Sequence, residues 1–352
     1  MSSSGSSGYT DAAQRLHFEE QAAFMHSILN NAKALYDANT PLFTKDALRQ
    51  VAQKLEACRN RPKDKQEITL QGIDGLDYNE TIFPRPEEVA SPGGEELHVG
   101  GDRWVIEYHA IEDLTMERDP LRFSPGKAYL SMTINICTRW LILDTLDEKD
   151  VPVSSTEELR EVFRDKEQEW KMSEYYGQLQ AALATVNTPL VLDKVIGVAL
   201  GPPALGARAH HNSIIQHALL RALHSILSHR GILAPSSQCY TQDPMQTEQD
   251  KDILRSEGFT VLADPEAFLM LDDSSVLLSI CPDIPVKQIV ADICRPGIII
   301  WSKHEIYSDL PILPADPESS RVERMLRECY DQVDFPFHEP FLKLEMYIKK
   351  AT

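Results

Sequence analysis

The stretch from Gln238 to Trp301 constrains the fold most strongly, because apolar runs of strand length alternate there with runs of helical periodicity. The strand-length runs lie at 238–241, 259–262, 276–280 and 297–301, and the helical runs at 247–257 and 286–293. A strand at 194–200 and a helix at 212–227 precede them. Strands joined by helical crossovers pair in parallel. We therefore predict an α/β fold: a Rossmann-like open, mostly parallel sheet flanked by helices, with a helical N-terminal extension.

The remaining sequence divides into segments of different character. Helical spacing before residue 59 places Thr44 as an N-cap, and Ser155 with Glu158 fits a capping box at the start of a charged helix. The predicted segments are a disordered leader (1–10), a helical N-terminal region (11–83), a loop (84–100), a mixed strand and helix region (101–186), the Rossmann-like core (187–310) and a C-terminal helical tail (311–352).

Composition excludes several classes of function. The formal net charge of −19 argues against a general DNA- or RNA-binding protein, which needs basic surface to displace counterions. No apolar window is long enough to span a membrane. The six cysteines are scattered without zinc-ligand spacing, so we predict a reduced, cytoplasmic protein with no metal and no cofactor.

Ligands of open α/β sheets bind beyond the carboxyl ends of the strands, and this rule selects three loops. The first follows the strand ending at Leu200. Gly201 permits a tight turn there, and Asn212 or Ser213 is predicted to cap the next helix. The glycine spacing is not that of a dinucleotide fingerprint. Gln216 and His217, one turn into this helix, are either core contacts or part of a site.

The other two loops carry acidic and nucleophilic residues. Asp243 could hold ribose hydroxyls, pair with a cationic group of a substrate, or simply initiate a turn before Pro244, with Thr247 capping a helix. Cys281 lies at a strand end and is either a nucleophile or a buried cysteine; no histidine spacing supports the first reading. Ser279 as an acyl acceptor lacks a nucleophile-elbow motif.

Several segments resemble a known family. The most specific is YTQDPMQTEQDKDIL (240–254), and the others are VIGVALG (195–201), SIIQHALL (213–220), GFTVLADPEAFL (258–269) and SSVLLSICPDIPVKQIVADICRPGIIIW (274–301). They resemble the sensitivity-to-red-light-reduced-like family in its fungal form. Within it, the chain looks similar to fungal arginine-containing cyclodipeptide synthases, which join arginine to a second amino acid, both taken from aminoacyl-tRNA, in a diketopiperazine.

This resemblance implies an acyl transferase whose partners are arginyl-tRNA and a second aminoacyl-tRNA. Proton transfer and catalysis would fall to Tyr240, His217 and Gln216. Recognition of the guanidinium and stabilisation of the oxyanion would fall to Asp243, Glu248, Asp250, Gly201, Ser213, Ser279 and Pro282. Contacts to tRNA would fall to Arg59, Arg61, Lys63, Lys65, Arg208, His210 and His211.

The alternative is a non-enzymatic regulatory or binding protein of the same fold. It is motivated by the acidic surface and by the lack of a self-evident catalytic constellation in the sequence. A nucleotide- or haem-binding role is a weaker third hypothesis, because no dinucleotide fingerprint or motif-placed axial ligand is present.

Overall fold

The structure is a computed structural model. It describes residues 7–61, 64–83, 96–98, 103–117, 119, 121, 123–137, 140–142, 155–188, 191–204, 207–303, 314–341 and 343–351. Lys63, most of the predicted leader (1–10) and most of the predicted loop (84–100) lie outside these residues. No helix among the described residues is long and apolar enough to cross a membrane.

The described residues of the N-terminal half form three α-helices and three two-stranded antiparallel sheets, β1–β2, β3–β6 and β4–β5. In chain order the elements are α1 (Ser7–Asp37), α2 (Lys45–Arg59), β1 (Gln66–Gln71), β2 (Asp77–Ile82), β3 (Glu96–His98), β4 (Arg103–Tyr108), α3 (Ile111–Leu114), β5 (Met132–Cys137) and β6 (Trp140–Ile142). The hydroxyl of Thr44 accepts a hydrogen bond from the Ala47 N–H, so the predicted N-cap of α2 is confirmed. The region predicted as helical (11–83) also contains the β1–β2 hairpin, where Gln66 and Leu70 face inward.

The second half builds the main sheet and the helices that flank it. Its elements are α4 (Thr156–Lys171), α5 (Glu174–Ala184), β7 (Leu192–Val198), α6 (Ala207–His229), β8 (Leu233–Gln242), α7 (Glu248–Ser256), β9 (Thr260–Val261), α8 (Glu266–Met270), β10 (Ser275–Ser279), α9 (Val286–Ile293), β11 (Ile298–Ser302), α10 (Ser320–Cys329), β12 (Tyr330–Val333) and β13 (Leu344–Lys349). Ser155 accepts from the Glu158 N–H and caps α4.

The seven strands of the main sheet run in the order β12-β13-β11-β10-β7-β8-β9. Strands β7 to β11 pair in parallel, whereas β13 is antiparallel to both β11 and β12. The predicted α/β class with a mostly parallel sheet is therefore confirmed. The C-terminal segment, which we predicted as a helical tail, contains helix α10 and also adds two strands, β12 and β13, to the sheet. In β13, Ile348 lies opposite Ile298 of β11.

The order of strands places a switch point beside β7. From β7 the chain moves outward through β8 and β9, then returns to β10 on the other side of β7 and continues to β11. Crossovers that diverge in opposite directions leave a crevice at the carboxyl ends of the two strands, here β7 and β10.

Alternate residues of the buried strands enter two separate hydrophobic clusters, one on each face of the sheet. Ile196, Leu277 and Ile299 pack on the face covered by α2, α8, α9, α10 and the β4–β5 pair. Val195 and Val276 pack on the opposite face, beneath α4, α5 and α6. The N-terminal half thus shares one core with the sheet, and this packing brings β4 over the switch point.

Candidate functional site

A cavity of about 740 Å³ lies at the switch point and has the size of a ligand site. We call it the switch-point cavity. Its walls are residues 199–202 after β7, 243–245 after β8, 280–281 after β10 and 105–109 of β4 and the following turn. The three loops selected from the sequence therefore meet at one cavity, while β4 forms a wall that the sequence did not indicate.

Two of these loops hold residues other than glycine in the left-handed region of backbone conformation. Ala199 has φ of 55° and Cys281 has φ of 46°, beside Gly201 at 73°. Side chains with a Cβ rarely adopt such angles, and they persist where the surrounding structure enforces them, often at functional sites. The backbone N–H of Cys281 donates to Ser302 Oγ (2.8 Å), and its Sγ lies 3.3 Å from the same oxygen.

Two aspartates tie the first loop to the second. Asp243 accepts the Gly201 N–H and the Met245 N–H, both at 2.8 Å. Asp250 is fully buried and accepts the Ala204 N–H (2.6 Å), the Thr247 N–H (2.7 Å) and the Thr247 hydroxyl (2.7 Å). Asp250 and Thr247 thus form a capping box at α7. Our assignment of Asp250 to substrate binding is corrected, because its carboxylate is fully engaged in holding backbone.

Asp243 lines the cavity although its carboxylate also accepts hydrogen bonds from Gly201 and Met245. It is 9% exposed and lines the switch-point cavity as well as a second cavity described below. Its turn-forming bond to Met245 matches the local alternative that the sequence left open.

Strand β4 contributes a polar network that sequence reasoning missed. Glu107 accepts hydrogen bonds from Asn135 Nδ2 (2.9 Å) and Thr133 Oγ1 (3.3 Å). His109 Nε2 lies 3.1 Å from the same Thr133 hydroxyl, and both Glu107 and His109 line the switch-point cavity. The alternation of Glu107 and His109 with buried neighbours in RWVIEYH was the available signal, but nothing local places this strand over the sheet.

Helix α6 presents Ser213 and Gln216 to the cavity, and keeps His217 beneath it. Ser213 Oγ donates to the Gly201 carbonyl (2.8 Å), and the Gln216 amide oxygen is buried without a hydrogen-bond partner. The expectation that Asn212 or Ser213 caps α6 is wrong, because the helix begins at Ala207.

His217 is fully buried and does not line the cavity. Its Nδ1 lies 2.8 Å from the Ser213 carbonyl and its Nε2 lies 3.1 Å from Thr241 Oγ1. Burial lowers the pKa of His217 to about 4. Our assignment of His217 to proton transfer is corrected, since both nitrogens have partners and neither reaches the cavity.

The switch-point cavity is acidic. Among the described residues, its charged lining side chains are Glu107, Asp243 and Asp283, and none is lysine or arginine. The exposed Cys281 and the ring of His109 are the other reactive groups along this lining. Such a lining favours a cationic ligand group.

A second cavity of about 640 Å³ adjoins the first, and the two share Asp243 and Pro244. We call it the adjoining cavity; it lies beyond the ends of β8 and β9, at the start of α7. Its basic lining residues are Arg59, Arg103 and Lys251. Arg59 was predicted from sequence, whereas Arg103 and Lys251 were not.

The other predicted residues lie apart from the switch-point cavity. The Tyr240 hydroxyl donates to Gln238 on β8, and Ser279 is fully buried in β10 with no partner for its hydroxyl. Glu248 lines the adjoining cavity and pairs with Lys251 (2.7 Å).

Gly201 and Pro282, to which we assigned stabilisation of the oxyanion, offer no free backbone N–H in the part of the chain that the structure describes. Pro282 is buried and, as a proline, has no N–H; at the start of α9 the Lys287 N–H is bonded to Asp316. The Gly201 N–H is bonded to Asp243. Asn212 and Gln216 of α6 also line the cavity, and the Oε1 atom of Gln216, an acceptor, is buried without a partner.

The predicted tRNA contacts are only partly described. Arg61 and Lys65 are exposed, and Lys65 pairs with Glu67 (2.7 Å). Arg208, His210 and His211 lie within α6, but their side chains are outside the description. Across the described ranges, no group of three or more His, Cys, Asp or Glu side chains is arranged to hold a metal ion.

Comparison with known proteins identifies a domain but no activity. The chain has 14% identity and a TM-score of 0.29 to a chain of the complex between the Haloferax volcanii Trm112 methyltransferase activator and the putative methyltransferase, covering 56% of this chain and 99% of that one. For a putative O-methyltransferase from Klebsiella pneumoniae the values are 12% and 0.29, covering 57% and 92%. No curated protein sequence matches. The family model described as the SRR1 domain matches residues 177–345, just under half of the chain.

Proposed function

We propose that this protein is an aminoacyl-tRNA-dependent cyclodipeptide synthase that joins arginine to a second amino acid. The observation that carries the proposal is the acidic lining of the switch-point cavity, with Glu107, Asp243 and Asp283 and no lysine or arginine among the described lining residues. The resemblance of segments 240–254 and 274–301 to fungal arginine-using synthases points to the same cationic substrate.

The charge of the cavity suits a guanidinium. An arginine side chain keeps its charge at any physiological pH, so a pocket that takes it from water must supply carboxylates and hydrogen-bond acceptors. Glu107 has a fixed position because Asn135 and Thr133 donate to its two oxygens. We assign Glu107 and Asp283 to the guanidinium, with Asp243 holding the loop between them.

The reaction is two successive acyl transfers. The α-amine of one aminoacyl group attacks the ester carbonyl of the other, the C–O bond to ribose breaks, and the ribose hydroxyl takes the proton that the amine loses. The second amine then closes the ring in the same way. A proton carrier must reach the cavity, and the ring of His109 beside Thr133 supports this role better than the buried His217.

The adjoining cavity supports delivery of the substrate as an RNA ester. Arg59, Arg103 and Lys251 lie there, next to a shared wall at Asp243 and Pro244. Asp243, Glu248 and Asp264 line the same cavity, so the proposal needs only that Arg59 and Arg103 contact phosphates of the acceptor end, which a chain with a net charge of −19 can still provide locally.

The test is production of the protein in a bacterial host and mass analysis of the medium. We expect a cyclic dipeptide containing arginine, which disappears when a lysate assay is treated with ribonuclease. Soluble protein without any such product would refute the proposal and favour the regulatory alternative.

Variants test the assignment of the guanidinium pocket. Glu107→Gln should lower the amount of cyclic dipeptide at least about tenfold, because one charged contact to a buried cation is lost. Glu67→Gln on β1 is the control, because Glu67 is exposed and pairs only with Lys65. Equal product from both variants would contradict the assignment.

A further inference from the structure

The cavity wall formed by β4 is fixed to the core at two buried points, one on each side of His109. Before His109, the Tyr108 hydroxyl donates to Asp264 Oδ1 (2.7 Å). After His109, the Ile111 N–H donates to Gln288 Oε1 of α9 (3.0 Å). Because the ring of His109 lines the switch-point cavity, these two bonds bracket the part of the chain that carries a site residue.

Gln288 uses both ends of its side-chain amide on the turn after β4. It is 2% exposed; its Oε1 accepts the Ile111 N–H, and its Nε2 donates to Glu112 Oε2 (2.7 Å). The reverse orientation of the amide would oppose two donors at Ile111 and two acceptors at Glu112. Buried polar groups are costly to leave without partners, so the amide holds this turn in one position.

The same face of α9 also holds the segment that lies behind the wall. Asp292, one turn after Gln288, accepts the Leu42 N–H at Oδ2 (2.7 Å). The Leu42 carbonyl accepts from Ser131 Oγ (2.5 Å), and the Ser131 carbonyl accepts the His109 N–H (2.8 Å). A closed path of hydrogen bonds thus runs from α9 through Leu42 and Ser131 to His109, and back through the turn to α9.

We propose that Gln288 is a positioning residue, which fixes the turn after β4 and thereby holds the His109 ring at the switch-point cavity. Gln288 is not among the described residues that line this cavity, so it acts through Ile111 and Glu112. Its effect on catalysis rests on the proposed function, in which His109 carries the proton. A reacting group misplaced by about 1 Å slows a reaction by up to about a hundredfold.

Exchanging the two side chains tests the pair. Gln288→Glu keeps an acceptor for the Ile111 N–H but puts a second carboxylate against Glu112, so the turn should be displaced. Glu112→Gln alone should be tolerated, since an amide oxygen still accepts from Gln288. The double variant, Gln288→Glu with Glu112→Gln, restores both hydrogen bonds with donor and acceptor reversed.

The matched control is Gln178→Glu on α5. Gln178 Nε2 donates to Glu174 Oε1 (3.2 Å), so this variant also replaces a glutamine that is bonded to a glutamate. Both residues are exposed, so water and local movement relieve the repulsion between the two carboxylates.

Hydrogen–deuterium exchange of the full-length protein, followed by mass spectrometry, reports the position of the turn without an assay of activity. We expect the amides of residues 109–114 to exchange at least about tenfold faster in Gln288→Glu than in the parent. The double variant and the control should exchange as the parent does. Exchange in β10 and β11 should not change, because the main sheet does not depend on this bond.

The rate of cyclic dipeptide formation tests the step from position to chemistry. Gln288→Glu should lower kcat at least about tenfold, whereas the double variant and Gln178→Glu should stay within about threefold of the parent. KM for charged tRNA should change less than kcat, because Gln288 is absent from the described lining of both cavities. Thermal unfolding establishes that each variant is folded.

Unchanged exchange in a folded Gln288→Glu protein, or a double variant no closer to the parent than Gln288→Glu, would overturn the pair. If Gln288→Glu does not fold, a folded double variant supports the pair, and a double variant that also fails to fold overturns it. Parent-like kcat in a Gln288→Glu protein whose turn exchanges faster would overturn the positioning role.

The outcome separates from that of the proposed function. A parent protein that makes no cyclic dipeptide would refute the synthase, and the exchange of residues 109–114 would then decide by itself whether Gln288 holds the wall. Cyclic dipeptide made equally well by the parent and by a folded Gln288→Glu protein would overturn the role of Gln288 and leave the synthase standing.

Discussion

Asp250→Ala is expected to lower the free energy of unfolding by about 4 kcal/mol. The carboxylate accepts from two backbone N–H groups, those of Ala204 and Thr247, and from the Thr247 hydroxyl. Alanine leaves the two backbone donors without a partner in a buried place, which costs about 1–3 kcal/mol for each donor. The capping box of α7 is lost at the same time.

The measurement is urea unfolding followed by fluorescence and circular dichroism, and the matched control is Asp252→Ala in the same helix. Asp252 has a side chain 65% exposed and pairs only with Arg255, so its removal should change stability by less than about 0.5 kcal/mol. The urea concentration at the midpoint of unfolding should be lower for Asp250→Ala, whereas the dependence of the free energy of unfolding on urea concentration should not change. If the two variants were equally stable and only Asp250→Ala lost function, our structural account of Asp250 would be refuted.

Three further predictions concern titration and the cavity loops. His217 has a lowered pKa, so the native state favours the neutral ring. The free energy of unfolding should therefore decrease by up to about 3 kcal/mol as pH falls from about 6.5 toward about 4. His217→Gln should weaken this dependence on pH, as measured by unfolding curves across that range. Asp264 has a raised pKa, so stability should fall as pH rises from about 4 to about 7, and Asp264→Asn should remove up to about 4 kcal/mol of that dependence. Gly201→Ala should cost about 1 kcal/mol because φ is 73°, and thermal unfolding will measure it against Gly177→Ala, a helical position with open space around it that should be neutral or stabilising.

The local sequence pattern was sufficient to predict the parallel strands of the sheet but not its antiparallel strand β13. The periodicity of 238–301 predicted strands and helices that the structure contains, because each crossover is short and strands β10 and β11 are buried on both faces. Strand β13 was missed, since its pairing partner β11 lies about 45 residues away in sequence and antiparallel return strands have no local marker.

The sequence predicted where the switch-point cavity lies but only part of its lining. The rule for strand ends selected Asp243 and the loop at Gly201, which both line the switch-point cavity. Asp250 and His217 were assigned to chemistry because polar residues near strand ends resemble site residues. Only the fold shows that one caps a helix and the other bonds to Ser213 and Thr241. Glu107 and His109 come from a distant strand, so no spacing within the core predicted them.

We propose that arginine taken from tRNA is joined to a second amino acid in the switch-point cavity. The most direct measurement incubates the purified protein with total tRNA charged with amino acids, of which only arginine is radiolabelled, and follows label released from RNA. We predict that the label appears in a cyclic dipeptide. The rate of its formation should be at least about tenfold lower for Glu107→Gln than for Glu67→Gln. Label that is released only as free arginine, at the rate of spontaneous ester hydrolysis, would contradict the claim.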